Sequence, residues 1–241
     1  MNNDNSGIIY LMPTPISEDE DSIKHLPQYN LDILKGINYF VVENTRTARR
    51  FISKCKLGIV IDSLTFVELN EHTPSQEVEE LLRPILDGEN CAIMSEAGVP
   101  AIADPGAELV AAAHRKGVRV IPLVGPSSII MSLMASGMNG QSFAFNGYLP
   151  IKEDARTKRI KELAHRATAE GQSQIVIEAP YRNETLVAAL LEKLSPTMRL
   201  TIAINISATA EQIKTLTVNE WRKSDLSKFD LRKNNAIFVI G

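Results

Sequence analysis

A short apolar run, a loop of small residues and a helix-forming segment recur in that order along the first half of the chain. No other pattern in the sequence restricts the fold as much. Runs of this length bounded by Gly and Pro read as strands buried on both faces. Strands that alternate with helices are joined in parallel by crossovers, so the repeat specifies α/β architecture with a largely parallel sheet. Strands are expected at Gly7–Met12, Asn38–Val42, Thr65–Leu69, Cys91–Ser95 and Val118–Leu123. Helices are expected over Gln28–Lys35, from Thr45, over Thr73–Asp87, from Asp104-Pro105 to Lys116, and over Ile129–Ser136. In the Asp104 helix, Asp104 reads as the N-cap and Pro105 as the first helical residue. The acidic stretch Ser17–Ser22 reads as a solvated loop.

After Gly137 the pattern changes. A short strand, Phe143–Phe145, precedes a basic amphipathic helix, Ala155–Ala169. Strand Gln174–Glu178, helix Asn183–Leu194, and strands Leu200–Ile206, Leu216–Trp221 and Ala236–Ile240 follow. Closely spaced strands near the end imply hairpins and a mixed sheet. The boundary falls near Val124–Ser127, giving an N-terminal α/β domain of residues 1–124 and a C-terminal α/β domain of residues 125–241. A chain of 241 residues, 44% hydrophobic, can give each domain its own core.

Charge excludes one class of partner contact. Twenty-six Lys+Arg against 29 Asp+Glu leave a net charge of −3, so no global basic field draws in nucleic acid; a local patch stays open. Cys55 and Cys91 read as buried reduced thiols. No apolar run reaches the ~18–20 residues of a membrane span. The polar start of the chain lacks the pattern of a signal peptide, and a cytoplasmic location is expected.

Several common chemistries find no footing. No Gly-x-Gly-x-x-Gly follows the first strand, no Walker A loop is present, and no Gly-x-Ser-x-Gly elbow occurs. His25, His72, His114 and His165 show no metal-ligand spacing, and no metal is expected. Two loops remain. Ser95–Gly106 reads Ser-Glu-Ala-Gly-Val-Pro-Ala-Ile-Ala-Asp-Pro-Gly, and Val124–Ser128 reads Val-Gly-Pro-Ser-Ser. Each lies between an expected strand and an expected helix. Such loops expose backbone N–H groups, and the helix N-terminus adds partial positive charge. Taken singly, either also reads as a plain helix start. With Pro13-Thr14-Pro15 after the first strand, they read as a ligand cradle at one edge of a parallel sheet.

These loops do not stand alone. Met12-Pro13-Thr14-Pro15-Ile16, Glu43-Asn44-Thr45-Arg46, Ser95–Gly106, Pro122–Ser128 and Gly147-Tyr148-Leu149-Pro150 follow one another in a familiar order and spacing. In this the chain resembles, over nearly its whole length, the small-subunit rRNA (cytidine) ribose 2′-O-methyltransferase I group. That group belongs to the tetrapyrrole-methylase-like class of S-adenosylmethionine (SAM) methyltransferases. The resemblance implies two αβα domains, with SAM in the cleft between them. It places cofactor contacts at Pro13, Glu96, Ala97, Gly98, Ala101, Ile102, Ser127 and Ser128 in the first half. In the second half it places them at Tyr148, Ala179, Ala203, Asn205, Asn235 and Ala236. It further implies a homodimer and methyl transfer to an RNA ribose 2′-hydroxyl, with ribosomal RNA as the partner. A sulfonium methyl is already activated, so positioning dominates the chemistry. A hydroxyl acceptor also needs a base. Glu43, Glu96 and His72 are the candidates, and each reads more readily as a capping, positioning or surface residue.

Departures from the family pattern cluster in the second half. Ser17-Glu18-Asp19 replaces Gly-Asn-Leu, and Ala203–Ala208 replaces a segment that carries Arg, Glu and Lys. Lys233-Asn234-Asn235 replaces Lys-Gly-Glu, and Glu178–Arg182 keeps only the outline of Glu-Ser-x-His-Arg. These losses bear on the RNA substrate more than on SAM, because phosphate contacts dominate RNA affinity. A tetrapyrrole-like small molecule, or SAM or RNA binding without catalysis, is the alternative reading. One basic segment survives in Lys152, Arg156, Lys158, Arg159, Lys161 and Arg166, which Arg46, Arg49 and Arg50 would extend. It reads either as a solvated helix face or as a phosphate-tracking patch.

Overall fold

The computed structural model describes residues 6–69 and 73–241, with 75 and 76 described by backbone alone. The chain divides into two units, Met1–Ser127 and Ser128–Gly241.

The first unit is built on parallel strands. Its elements are β1 (Ile8–Leu11), α1 (Gln28–Leu34), β2 (Tyr39–Val42), α2 (Thr45–Lys54), β3 (Thr65–Glu68), α3 (Ser75–Glu80), α4 (Arg83–Leu86), β4 (Cys91–Met94), α5 (Ala107–Arg115) and β5 (Arg119–Pro122). The strands line up in the order β3-β2-β4-β1-β5, every neighbouring pair parallel. Burial follows position. β2 and β4 are buried throughout, whereas the edge strands β3 and β5 keep exposed ends. Helices cover both faces, which is why the inner strands read as continuous apolar runs. Cys55 and Cys91 lie in this core as free thiols, and burial pushes both up to about 12.

Because all the strands run one way, the loops that leave their C-terminal ends gather at one edge of the sheet, where ligands of such folds bind. The loop after β1 is tied to the loop after β4. Thr14 N–H donates to Gly98 O at 2.8 Å, and Gly98 N–H donates back to Thr14 O at 3.1 Å. The loop after β5 is tied in twice. Buried Asn30 donates from Nδ2 to Val124 O at 2.8 Å, and Gly125 packs so close to Pro13 that a Cβ there would overlap the proline ring.

The second unit begins with α6 (Ser128–Ser136) and continues through β6 (Phe143–Tyr148), α7 (Glu153–Ala169), β7 (Ser173–Glu178), α8 (Asn183–Lys193), β8 (Arg199–Ile204), β9 (Gln212–Thr217), α9 (Val218–Trp221) and β10 (Ala236–Ile240). The strand order is β6-β7-β10-β8-β9. β6 pairs with β7 in parallel, and the remaining pairs are antiparallel. The fully buried Trp221 anchors this core and satisfies its indole N–H on Leu200 O at 2.7 Å.

Several local expectations are corrected. The acidic stretch is partly helical. A 3-10 segment spans Glu20–His25 and buries Ser22, with Lys24 paired to Asp21. The helix expected over Thr73–Asp87 breaks into α3 and α4, because Pro84 has no N–H to continue the first helix. α5 starts at Ala107, with Gly106 at φ 124° as its N-cap, so Asp104 does not cap it. The strand expected at Leu216–Trp221 stops at Thr217. There Thr217 and Glu220 form a reciprocal capping box that opens α9.

Gly125→Ala tests the fastening of the loops. The added methyl has to displace the Pro13 ring or the loop itself. A loss of about 1–3 kcal/mol in urea unfolding free energy is expected, with the m-value unchanged.

Candidate active site

The strand ends bring acids together. Glu43 directly follows β2, Glu96 lies at the start of the loop after β4, and Asp104 lies near the end of that loop. A cavity of about 780 Å³ opens here, lined by Glu43, Asn44, Leu69, Thr73, Glu96 and the segment Ala103–Glu108. Its walls come from the segments that follow three adjacent parallel strands, β3, β2 and β4, and from the first turn of α5.

Local backbone explains how the loop holds this shape. Gly98, Ala101, Ala103 and Gly106 all have positive φ, at 81°, 65°, 64° and 124°. A chain that reverses hand so often folds back on itself, and Ile102 is left 53% exposed at the surface. Gly98 is held close, since a Cβ there would press on Ile16 and on the Pro126 carbonyl.

Two of the three acids are fixed by hydrogen bonds. Glu96 N–H donates to Glu43 Oε2 at 3.1 Å, and Thr47 Oγ1 donates to Glu96 Oε1 at 3.0 Å. Asn44 caps α2 through Thr47 N–H, which fixes the turn that presents Thr47. Glu68 accepts from Thr45 N–H at 2.9 Å, and that bond holds its carboxyl below the usual range. Asp104 behaves differently. Burial, then the negative charge of Glu43, push its carboxyl up to about 6, and Glu96 adds to the rise. The neighbouring Ser95 hydroxyl pulls the other way. Ser95 is only 6% exposed, and its Oγ lies near that carboxyl without a hydrogen bond of good geometry.

The first-unit residues assigned to cofactor contact occupy one rim. Pro13 is buried beneath Gly125, Ala97 and Ile102 are exposed, and Gly98 bridges to Thr14. Ser127 ends the first unit and Ser128 begins α6. In the second unit, sheet pairing brings three of the expected segments to one end. Ala236 pairs with Glu178 on one side and with Ile204 on the other, and Asn205 N–H donates to Asn235 O at 3.1 Å. Ala179 N–H donates to Glu178 Oε1, and Arg182 pairs with the same carboxylate at 2.6 Å. Asn205 and Ser207 adopt positive φ, and the Ser207 Oγ is buried with no hydrogen-bond partner among the described residues. Tyr148 is 60% exposed at the end of β6, beyond a bulge formed at Asn146-Gly147.

The basic residues separate into two groups. Arg49 pairs with Asp62 and lies over the Phe66 ring, Arg156 donates to Ile151 O, and Arg159 donates to Asn146 Oδ1 at 2.9 Å. Arg46, Arg50 and Lys152 are exposed. His72 lies outside the described residues. Sequence reasoning missed Asp104 as a member of the carboxylate set, because Asp-Pro before a helix reads so readily as a cap.

A five-stranded parallel α/β unit with this loop cradle, followed in the chain by a second, mixed-sheet α/β unit, defines a class of protein. The chain belongs to the tetrapyrrole (corrin/porphyrin) methylase family, whose sequence profile matches residues 24–221, and it is a methyltransferase. Ribosomal RNA small subunit methyltransferase I of Vibrio cholerae is 32% identical over 97% of this chain and 76% of its own length. The protein of the same name from Escherichia coli O157:H7 is 30% identical over 98% of this chain and 79% of its own. Among solved structures, the methyltransferase CobJ matches with a TM-score of 0.64 at 14% identity, covering 98% of this chain and 94% of that one. Uroporphyrin-III-C-methyltransferase from Thermus thermophilus matches with a TM-score of 0.56 at 17% identity, covering 98% and 92%. At those identities the two structures establish the fold alone.

Asp104 carries a stability consequence. Its native carboxyl titrates near 6 against an ordinary 3.8, so the unfolded chain ionises first. Native stability therefore falls as pH rises from about 4 to about 6, then levels off. Unscreened, the effect is about 3 kcal/mol; partial exposure reduces it to about 1–2 kcal/mol. Asp104→Asn is expected to be the more stable protein by that amount near pH 8, with the gain gone near pH 4. Chemical denaturation at both pH values checks this.

Proposed function

We propose that this methyltransferase takes its methyl group from SAM and delivers it to a ribose 2′-hydroxyl of RNA, with ribosomal RNA as the substrate. The observation that carries the reading is the likeness to the rRNA small subunit methyltransferase I proteins across 97–98% of the chain. The chemistry of the loops fits the cofactor. Each unit offers apolar surface of its own, exposed Ile102 in the first and exposed Tyr148 in the second. In the first unit the positive-φ turn at Gly98 exposes backbone at close approach; in the second the turn at Asn205 does the same, and the Ser207 hydroxyl has no hydrogen-bond partner among the described residues. We assign Pro13, Glu96, Ala97, Gly98, Ala101, Ile102 and Ser127 of the first unit to the cofactor. In the second unit we assign Ser128, Tyr148, Ala179, Ala203, Asn205, Asn235 and Ala236.

When bound, SAM supplies a methyl group already activated by its sulfonium. The protein then has to orient the acceptor, exclude water and remove one proton. Glu43 and Glu96 lie in the cavity where an acceptor hydroxyl would be oriented. Exposed Arg46, Arg50 and Lys152 are the residues we assign to RNA phosphates. Arg49, Arg156 and Arg159, although engaged within the protein, carry charge that adds to that field. We further propose a homodimer acting in the cytoplasm. No helix among the described residues is long and apolar enough to cross a membrane.

Equilibrium dialysis against labelled SAM tests the first premise, and saturable binding is expected. Incubation with ribosomal RNA from cells lacking the gene is expected to place label on a ribose resistant to alkaline cleavage at that position. Label found in a porphyrinoid and never in RNA would transfer the assignment to a small-molecule substrate. Sedimentation at micromolar concentration is expected to give twice the 26.6 kDa mass of one chain.

A further inference from the structure

The RNA reading leaves the base unassigned, and the cavity contains one acid placed differently from the rest. We propose, on the strength of that reading, that the Asp104 carboxylate is the general base that takes the proton from the RNA hydroxyl. Glu43 and Glu96 act as the positioning residues around it.

The geometry argues for this division of labour. Glu43 and Glu96 each commit an oxygen to a hydrogen bond that shapes the loop, one to the Glu96 N–H and one to the Thr47 hydroxyl. An oxygen held that way is a poor proton acceptor, because protonation would compete with the bond that fixes the loop. Asp104 lines the same cavity, is half-buried, and stands where the loop turns through Ala103 and Gly106 into α5. Ser95 supplies an independent observation. Its hydroxyl is buried beside the Asp104 carboxyl and has no partner of good geometry among the described residues. A buried polar atom of that kind is satisfied when an acceptor hydroxyl or a water enters beside it.

Electrostatics then assign the roles. The charged groups that act on Asp104 are Glu43 from the end of β2 and Glu96 from its own loop, both acidic, and Glu108 from the first turn of α5 lines the same cavity. A half-buried acid beside other carboxylates exchanges its proton nearer neutrality than an ordinary aspartate does. A base that titrates close to the working pH combines a populated anion with adequate basicity. In the step itself, the carboxylate of Asp104 accepts the hydroxyl proton as the ribose oxygen bonds to the methyl carbon. The carbon–sulfur bond breaks with its electron pair left on sulfur, so a neutral thioether leaves and the proton remains on Asp104.

The test combines kinetics with a titration of the protein alone. In the wild type, kcat for RNA methylation is expected to fall on the acid side with a midpoint near 6. Asp104→Asn is expected to lose roughly 100-fold or more in kcat while SAM binding by dialysis stays within about twofold, and to lose the acid limb. Asp104→Glu is expected to recover part of the rate and to shift the limb. Carbon-13 NMR of the unloaded protein is expected to show the Asp104 carboxyl titrating near 6, and nearer its ordinary value in Glu43→Gln. An active wild type with Asp104→Asn unimpaired, or an Asp104 titration near 4, overturns the assignment and leaves the RNA reading intact. A wild type that binds SAM but methylates no RNA overturns that reading and this assignment with it.

Discussion

The first unit depends on one reciprocal pair of backbone hydrogen bonds, between Thr14 and Gly98. Parallel strands bring their C-terminal loops to one edge, but nothing in a parallel ladder keeps those loops in register with one another. The Thr14–Gly98 pair does so. It satisfies both peptide groups of each residue within the protein, at a place where water would otherwise compete for them. The Pro13–Gly125 contact and the Asn30 bond to Val124 extend the same fastening to the loop after β5. Loops from β1, β4 and β5 thus form a single rim, against which the carboxylates after β2 and β4 are placed.

That rim explains the uneven electrostatics of the cavity. Glu43 is held by an N–H of the loop after β4 and Glu96 by the Thr47 hydroxyl of α2, whereas Asp104 is left to burial and to the repulsion of its neighbours. Four acids lining one cavity, Glu43, Glu96, Asp104 and Glu108, are costly to an isolated domain. A structural role alone would be served as well by amides, which accept and donate hydrogen bonds without the charge. In the second unit the corresponding end of the sheet is organised by one ion pair, Glu178 with Arg182, on which the backbone of Ala179 also closes. Exposed positive charge is carried instead at Arg46 and Arg50 of α2 and at Lys152 just before α7.

Much of this was legible in the sequence, for identifiable reasons. The parallel sheet was visible because apolar runs at β1, β2 and β4 are continuous, as strands buried on both faces require. The loop motifs were visible because Gly and Pro mark positions that other residues do not readily fill. What was hidden depended on tertiary partners. The burial of Ser22 within an acidic stretch has no local signature. Thr217 and Glu220 do carry a capping signature, yet the apolar run through Trp221 masks it as a strand. Asp104 was misread because an Asp-Pro pair before a helix satisfies the capping rule, and only the loop geometry turns it toward the acids instead. That Arg159 of α7 bonds Asn146 of β6, at the bulge ahead of Tyr148, has no local signature either.

The loop after β4 holds alanine, not glycine, at two left-handed positions, 101 and 103. Each costs about 1 kcal/mol or more in the native chain relative to glycine. Glycine would relieve that cost, but it would also multiply the conformations open to the loop before folding and before a ligand arrives. With alanine, the disorder is removed once, during folding, and is not charged again to each binding event. The loop is therefore preorganised, and a ligand that docks on it has little ordering entropy left to supply.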